Sequence, residues 1–136
     1  YMFSECKINT LDLSSFDTSN VVSMERMFQS AKLTKLDLSN FNTSNVTNMS
    51  FMFTNIEIES LDLSSFDTSK VTNMEYMLYA SEVTFVDLSS FDMRNVSNTK
   101  DIMNRDSSLL TGYARTIFEV TFFNNILNRE VFTLKN

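Results

Sequence analysis

Two apolar patterns alternate along the chain. In residues 33–53 the first comprises Leu33, Leu36 and Leu38, followed by Phe41; the second comprises Val46, Met49, Met52 and Phe53. Leu36-Asp37-Leu38 has a period of two, which predicts a short strand with one buried face. The second group falls within about 120° of a helical wheel and leaves Asn45, Thr47, Asn48 and Ser50 outside, which predicts a short helix. Thr43 or Ser44 stands where an N-cap would accept an amide hydrogen bond. One unit is therefore expected to run strand, Asx-rich turn, short helix, loop.

The unit recurs. Leu11, Leu36, Leu61 and Val86 are spaced by 25 residues, and no insertion breaks the spacing through residue 110. A fixed period of this size predicts a solenoid, because one unit cannot bury its apolar face alone and stacking supplies the missing partner. The expected fold class is an α/β solenoid: a right-handed leucine-rich-repeat-like coil with parallel short strands on the concave face and short helices on the convex face. Residues 1–10, YMFSECKINT, match 26–35, RMFQSAKLTK, in type and order and are assigned to a partial coil that opens inside a unit. Full coils are expected at 11–35, 36–60, 61–85 and 86–110. The last departs from the pattern at Met93, Arg94 and Thr99, and the period is lost after it. In 111–136, TIFEVTFF and EVFTLK are β-prone segments on either side of NNILNR. They predict a β-rich C-terminal cap in the form of a hairpin, since an uncovered terminal strand exposes unpaired amides.

Composition narrows the function classes. With one glycine, Gly112, and no proline, turns must be made by Asn, Asp and Ser. The formal charge of −6 argues against nucleic acid, which selects clustered Lys and Arg. A single cysteine, Cys6, excludes an internal disulfide. No apolar run is long enough to span a membrane, and the first residues carry no targeting pattern. Enzyme chemistry finds little footing: there is no His, Cys6 has no apparent activating partner, and no glycine-rich phosphate loop exists. No cofactor is expected. Sequons begin at Asn42, Asn45, Asn48 and Asn95 and are read as by-products of the repeat's wording.

The words LDLSSFDTSNVVSME at 11–25, LDLSNFNTSNVTNMS at 36–50 and LDLSSFDTSKVTNME at 61–75 carry a family likeness. The unit L-x-x-L-D-L-S-x-F-[DN]-x-x-x-V-x-x-[MT], followed by an apolar pair such as Met52-Phe53, resembles the BspA-like leucine-rich-repeat surface proteins of bacteria, mycoplasmas and some protozoa. The resemblance covers residues 1 to about 110. It implies a secreted or lipid-anchored, extracellular or cell-surface location and a role in adhesion, with a host or neighbouring-cell protein or glycan as partner. An ordinary leucine-rich repeat carries Asn at the ninth position; here Phe16, Phe41, Phe66 and Phe91 occupy it, and Asp17, Asn42, Asp67 and Asp92, one residue later, are the expected turn acceptors.

Stacking turns each position into a row. Asp12, Asp37, Asp62 and Asp87 would line the concave face at the strand spacing of about 4.8 Å. At that distance a neighbouring pair of carboxylates repels by about 0.9 kcal/mol in water. This row suits a basic partner. Calcium at Asp37 and Asp62 is the weaker reading, because one straight row offers few oxygens at one point, and plain hydrogen bonding to Ser14, Ser39, Ser64 and Ser89 is the bland one. Lys35, Ser60 and Phe85 share a variable row two residues earlier and are further concave candidates. On the predicted helices Phe51 and Tyr76 point away from the buried arc, with Arg26 in the same row and Tyr79 a turn on. They form a candidate convex patch, with gap-filling between units as the alternative. Met24, Met49 and Met74 are expected to fill the core. The leading expectation is a non-catalytic adhesion or binding module acting through the concave face. The other is a structural spacer or assembly subunit that self-associates through its edges or the convex patch.

Overall fold

The computed structural model describes residues 1–104, 108–109 and 111–136. The end of the fourth expected coil, at 105–107 and 110, lies outside the described residues. Four short strands form one parallel sheet in the order β1 (Ser60–Asp62), β2 (Phe85–Leu88), β3 (Thr111–Ala114) and β4 (Phe132–Leu134), with helix α1 (Ile117–Leu127) between β3 and β4. The fold is α/β. Leu61 pairs with Val86, Val86 with Gly112, and Gly112 with Phe132, so one buried row crosses the whole sheet. Gly112 is required there because a Cβ on it would meet the Phe132 ring at 2.5–2.9 Å.

Outside these strands the 25-residue units also pair. Thr10 bridges Lys35, Lys32 bridges Glu57, and Ser23, Asn48, Asn73 and Asn98 bridge in series, all parallel. The rows predicted to be core are core: Met24, Met49 and Met74, Phe41, Phe66 and Phe91, and Leu38, Leu63 and Leu88 are buried. A further stitch joins the units at Thr18, Thr43 and Thr68. Each hydroxyl accepts from the amide, and donates to the carbonyl, of Asn42, Asp67 or Asp92 in the next unit, at 2.7–2.8 Å and 3.0–3.2 Å. These threonines are at most 3% exposed, so each hydroxyl is withdrawn from water and depends on the bonds it makes to the next unit.

The expected short helices are not formed. Val46, Met49, Met52 and Phe53 are indeed buried, but their backbone runs as successive tight turns. Arg26, Phe51 and Tyr76 have φ of 54–58°, and Ser30, Asn55 and Ala80 of 53–55°. Two αL residues four positions apart in each unit break an α-helix. Alternate amides are also committed elsewhere: those of Met49, Phe51 and Phe53 donate to Asn73, Glu75 and Met77 of the next unit, while Met52 and Thr54 close local turns onto Met49 and Phe51. Inter-unit bonding takes the donors that a helix would use within itself. Among the described residues α1 is the only helix.

The cap is also corrected. TIFEVTFF is not a strand, and β3 and β4 are not a hairpin but parallel neighbours joined by α1. Thr116 is the N-cap, its hydroxyl accepting from Phe118 N and donating to the Glu119 carboxylate, so the Thr116-x-x-Glu119 spacing marks the helix start although the reciprocal backbone bond of a full capping box is replaced by a side-chain one. Asn128 ends the helix at φ 54°. The Asn124 side-chain oxygen then accepts from Val131 N and Phe132 N, at 2.9 and 2.7 Å, and fixes the return into β4.

Candidate functional site

On the exposed sheet face each aspartate of the first candidate row is held by the serine two residues on. Ser14 N, Ser39 N, Ser64 N and Ser89 N donate to Asp12, Asp37, Asp62 and Asp87, each at 2.9 Å. The Asx turn fixes the carboxylates and leaves one oxygen of each outside that bond. Hydrogen bonds from Ser14 and Ser39 hold Asp12 and Asp37 below the usual carboxylate range. Asp12, Asp37 and Asp62 are exposed. Small clefts of about 120 and 80 Å³ open between Asp12 and Asp37 and between Asp37 and Asp62.

Asp87 departs from the row. It is only 2% exposed, and Lys135 Nζ beyond the end of β4 reaches to 2.6 Å from its Oδ2, passing 6.0 Å from the Tyr113 ring centre. Burial pushes the Asp87 carboxyl up, and the bonds from Lys135 and Ser89 more than offset this and hold it below its ordinary value. The expectation that all four aspartates face solvent is therefore corrected at Asp87, because β3, β4 and Lys135 cover the last position. In the variable row Lys35 and Ser60 are exposed, and Phe85 is half-buried against Tyr113, edge to face at 5.7 Å. The row one residue past the phenylalanines serves the turns, with Asp17, Asn42, Asp67 and Asp92 accepting from Ser19 N, Ser44 N, Ser69 N and Arg94 N. In the fourth unit Arg94 and Arg115 both pair with Asp92, at 2.6 and 2.9 Å, and depress its carboxyl far below the usual range.

The opposite, turn-lined side carries a stack. Phe51 and Tyr76 lie parallel with ring centres 5.0 Å apart, and Tyr79 meets Tyr76 edge-on at 5.1 Å. The Arg26 guanidinium sits between the Phe51 ring at 4.6 Å and the Tyr1 ring at 5.3 Å, and Lys100 Nζ lies 5.4 Å from Tyr76. Tyr1, Phe51 and Tyr76 thus each have a ring face engaged by a neighbouring unit, while Tyr1 and Tyr79 remain exposed. A hydrogen bond to Asp101 raises the Tyr76 hydroxyl above its ordinary value. Tyr1 belongs to the same 25-residue row as Arg26, Phe51 and Tyr76, a signal present in the sequence; nothing local marks Lys135, which only the tertiary fold brings to Asp87.

Among the described residues no three His, Cys, Asp or Glu side chains converge to hold a metal ion. Asp37 and Asp62 alone offer two carboxylates. No described helix is long and apolar enough to cross a membrane.

No curated protein and no solved structure matches the chain. A family model described as a Mycoplasma protein of unknown function, DUF285, matches residues 1–114. That match spans the paired 25-residue units and reaches the end of β3, and on it the chain belongs to the DUF285 family.

Proposed function

We propose that the chain is a right-handed leucine-rich-repeat-like solenoid of the BspA-like kind. In this reading it is a non-catalytic module displayed outside the cell, and its exposed sheet face binds a basic region of a protein or glycan on a host or neighbouring cell. The observation that carries this reading is the row Asp12, Asp37 and Asp62, exposed and each fixed by a serine amide. Carboxylates held this way need no reordering when a cation arrives, which favours a partner bearing Lys or Arg. Lys35, Ser60 and Phe85 flank the row and would set partner preference.

The test is a panel of immobilised extracellular proteins and glycans probed with the chain and with Asp12→Asn/Asp37→Asn/Asp62→Asn. The variant is expected to lose at least about tenfold in affinity at low salt, and the wild type to weaken as salt rises. Unchanged binding by the variant rejects the face.

The stacked Tyr1, Arg26, Phe51 and Tyr76 favour the second reading, a spacer or assembly subunit, because a partly exposed aromatic stack with a cation is a common interface anchor. Phe51→Ser with Tyr76→Ser is then expected to lower the sedimenting mass; an unchanged mass rejects it.

A further inference from the structure

On the turn side each unit hands its alternate amides to the next. Met49, Phe51 and Phe53 donate to Asn73 O, Glu75 O and Met77 O at 2.9 Å each, and Met74, Tyr76 and Leu78 donate to Asn98 O, Lys100 O and Ile102 O at 2.9, 2.9 and 2.8 Å. The equivalent donors of the fourth unit are the amides of Thr99, Asp101 and Met103, and among the described residues no acceptor meets them. Asp101, at φ 46°, repeats the backbone turn of Phe51 and Tyr76, so the edge keeps the shape of the rows before it. These residues also line a cavity of about 400 Å³ with Tyr79, Ile102 and Ile126 of α1. The helix covers the core beneath and leaves this groove beside it.

We propose that this edge docks a polypeptide segment of a partner protein, which lays main-chain carbonyls on the amides of Thr99, Asp101 and Met103 and places an apolar side chain in the cavity. The inference does not rest on the acidic face. An unpaired row of amides is a template for another chain, and at the three unit boundaries before it the same donors, beginning at Met24, Met49 and Met74, are met by main-chain carbonyls. A free anion would satisfy the amides but leave Ile126 and Tyr79 uncovered, and the exposed Asp101 carboxylate repels it. That carboxylate instead favours a Lys or Arg in the docked segment.

The test uses the full isotope-labelled chain and the peptide NTKDIMN, the sequence of residues 98–104, which supplies the carbonyls to the donors at 74–78 and carries a lysine. Amide exchange at Thr99, Asp101 and Met103 is expected to slow at least about tenfold at saturating peptide, while Met74, Tyr76 and Leu78 stay unchanged. No slowing at millimolar peptide overturns the proposal. So does equal slowing by the reversed-sequence peptide or by sodium acetate. If concentrating the chain without peptide slows the same three amides, the edge joins copies of this chain and the partner assignment is overturned. Tyr79→Ser, at an exposed position of the cavity wall, is expected to weaken the peptide effect about tenfold; full retention overturns the apolar pocket.

Discussion

Lys135 Nζ lies 2.6 Å from Asp87 Oδ2, so the residue after β4 neutralises a carboxylate on β2, two strands away. Asp87 is nearly buried while the lysine stem is half in water. Removing the lysine leaves a desolvated charge without its counterion.

Lys135→Met should therefore destabilise the chain by about 1–3 kcal/mol, the cost of a buried acceptor left without its partner. The midpoint of denaturant unfolding measures this. The loss should disappear in Lys135→Met/Asp87→Asn, where no charge remains to be stranded.

Acid should destabilise the fold. Asp12, Asp17, Asp37, Asp67, Asp87 and Asp92 are all depressed, mostly by hydrogen bonds from the residue two positions on and, at Asp87 and Asp92, also by Lys135, Arg94 and Arg115. A depressed carboxyl contributes stability above its unfolded value, about 3.9, and loses it as pH falls through the folded value. Thermal unfolding should be flat from pH 7 to about 5 and fall below about 4. A rising midpoint on acidification would contradict the assignment.

Gly112→Ala should unseat β4. The added Cβ would lie 2.5 Å from Phe132 Cε1, under a ring that is itself buried. Overpacking of this kind costs about 1–3 kcal/mol, and Phe132→Leu in the same chain should recover part of it. Equal effects of Gly112→Ala alone and with Phe132→Leu would show that the ring is not the obstacle.

Thr43→Val preserves shape and removes one hydroxyl. Asp67 N and Asp67 O both lose their partner at a site 2% exposed, so a loss of about 1–3 kcal/mol is expected. Thr47→Val, on a row whose hydroxyl donates to Val22 O at 3.3 Å and lies near solvent, should cost under about 0.5 kcal/mol. Chemical denaturation of the two variants compares them directly.

The 25-residue period, the buried rows and the Asx turns were legible in the sequence because each is local or repeats at fixed spacing. Asp12 to Ser14 and Asp17 to Ser19 are two-residue contacts, and the leucine, methionine and phenylalanine rows need only the period to be found. TIFEVTFF reads as a strand because of its β-branched and aromatic residues; the Thr116-x-x-Glu119 spacing of a helix start, which that reading misses, is the signal that would have corrected it.

Tertiary pairing decided the rest. The apolar arc of Val46, Met49, Met52 and Phe53 is the same whether its backbone is a helix or a run of turns. The choice fell to turns because neighbouring units take alternate amides across the stack, a partner that a single unit cannot reveal. Likewise the sequence placed Asp87 in a row with Asp12, Asp37 and Asp62, and only the return of the chain through α1 into β4 brought Lys135 to it. Spacing along a chain determines which residues share a row; which donors and charges that row finds opposite depends on the packing of the next segment, where sequence distance no longer measures physical distance.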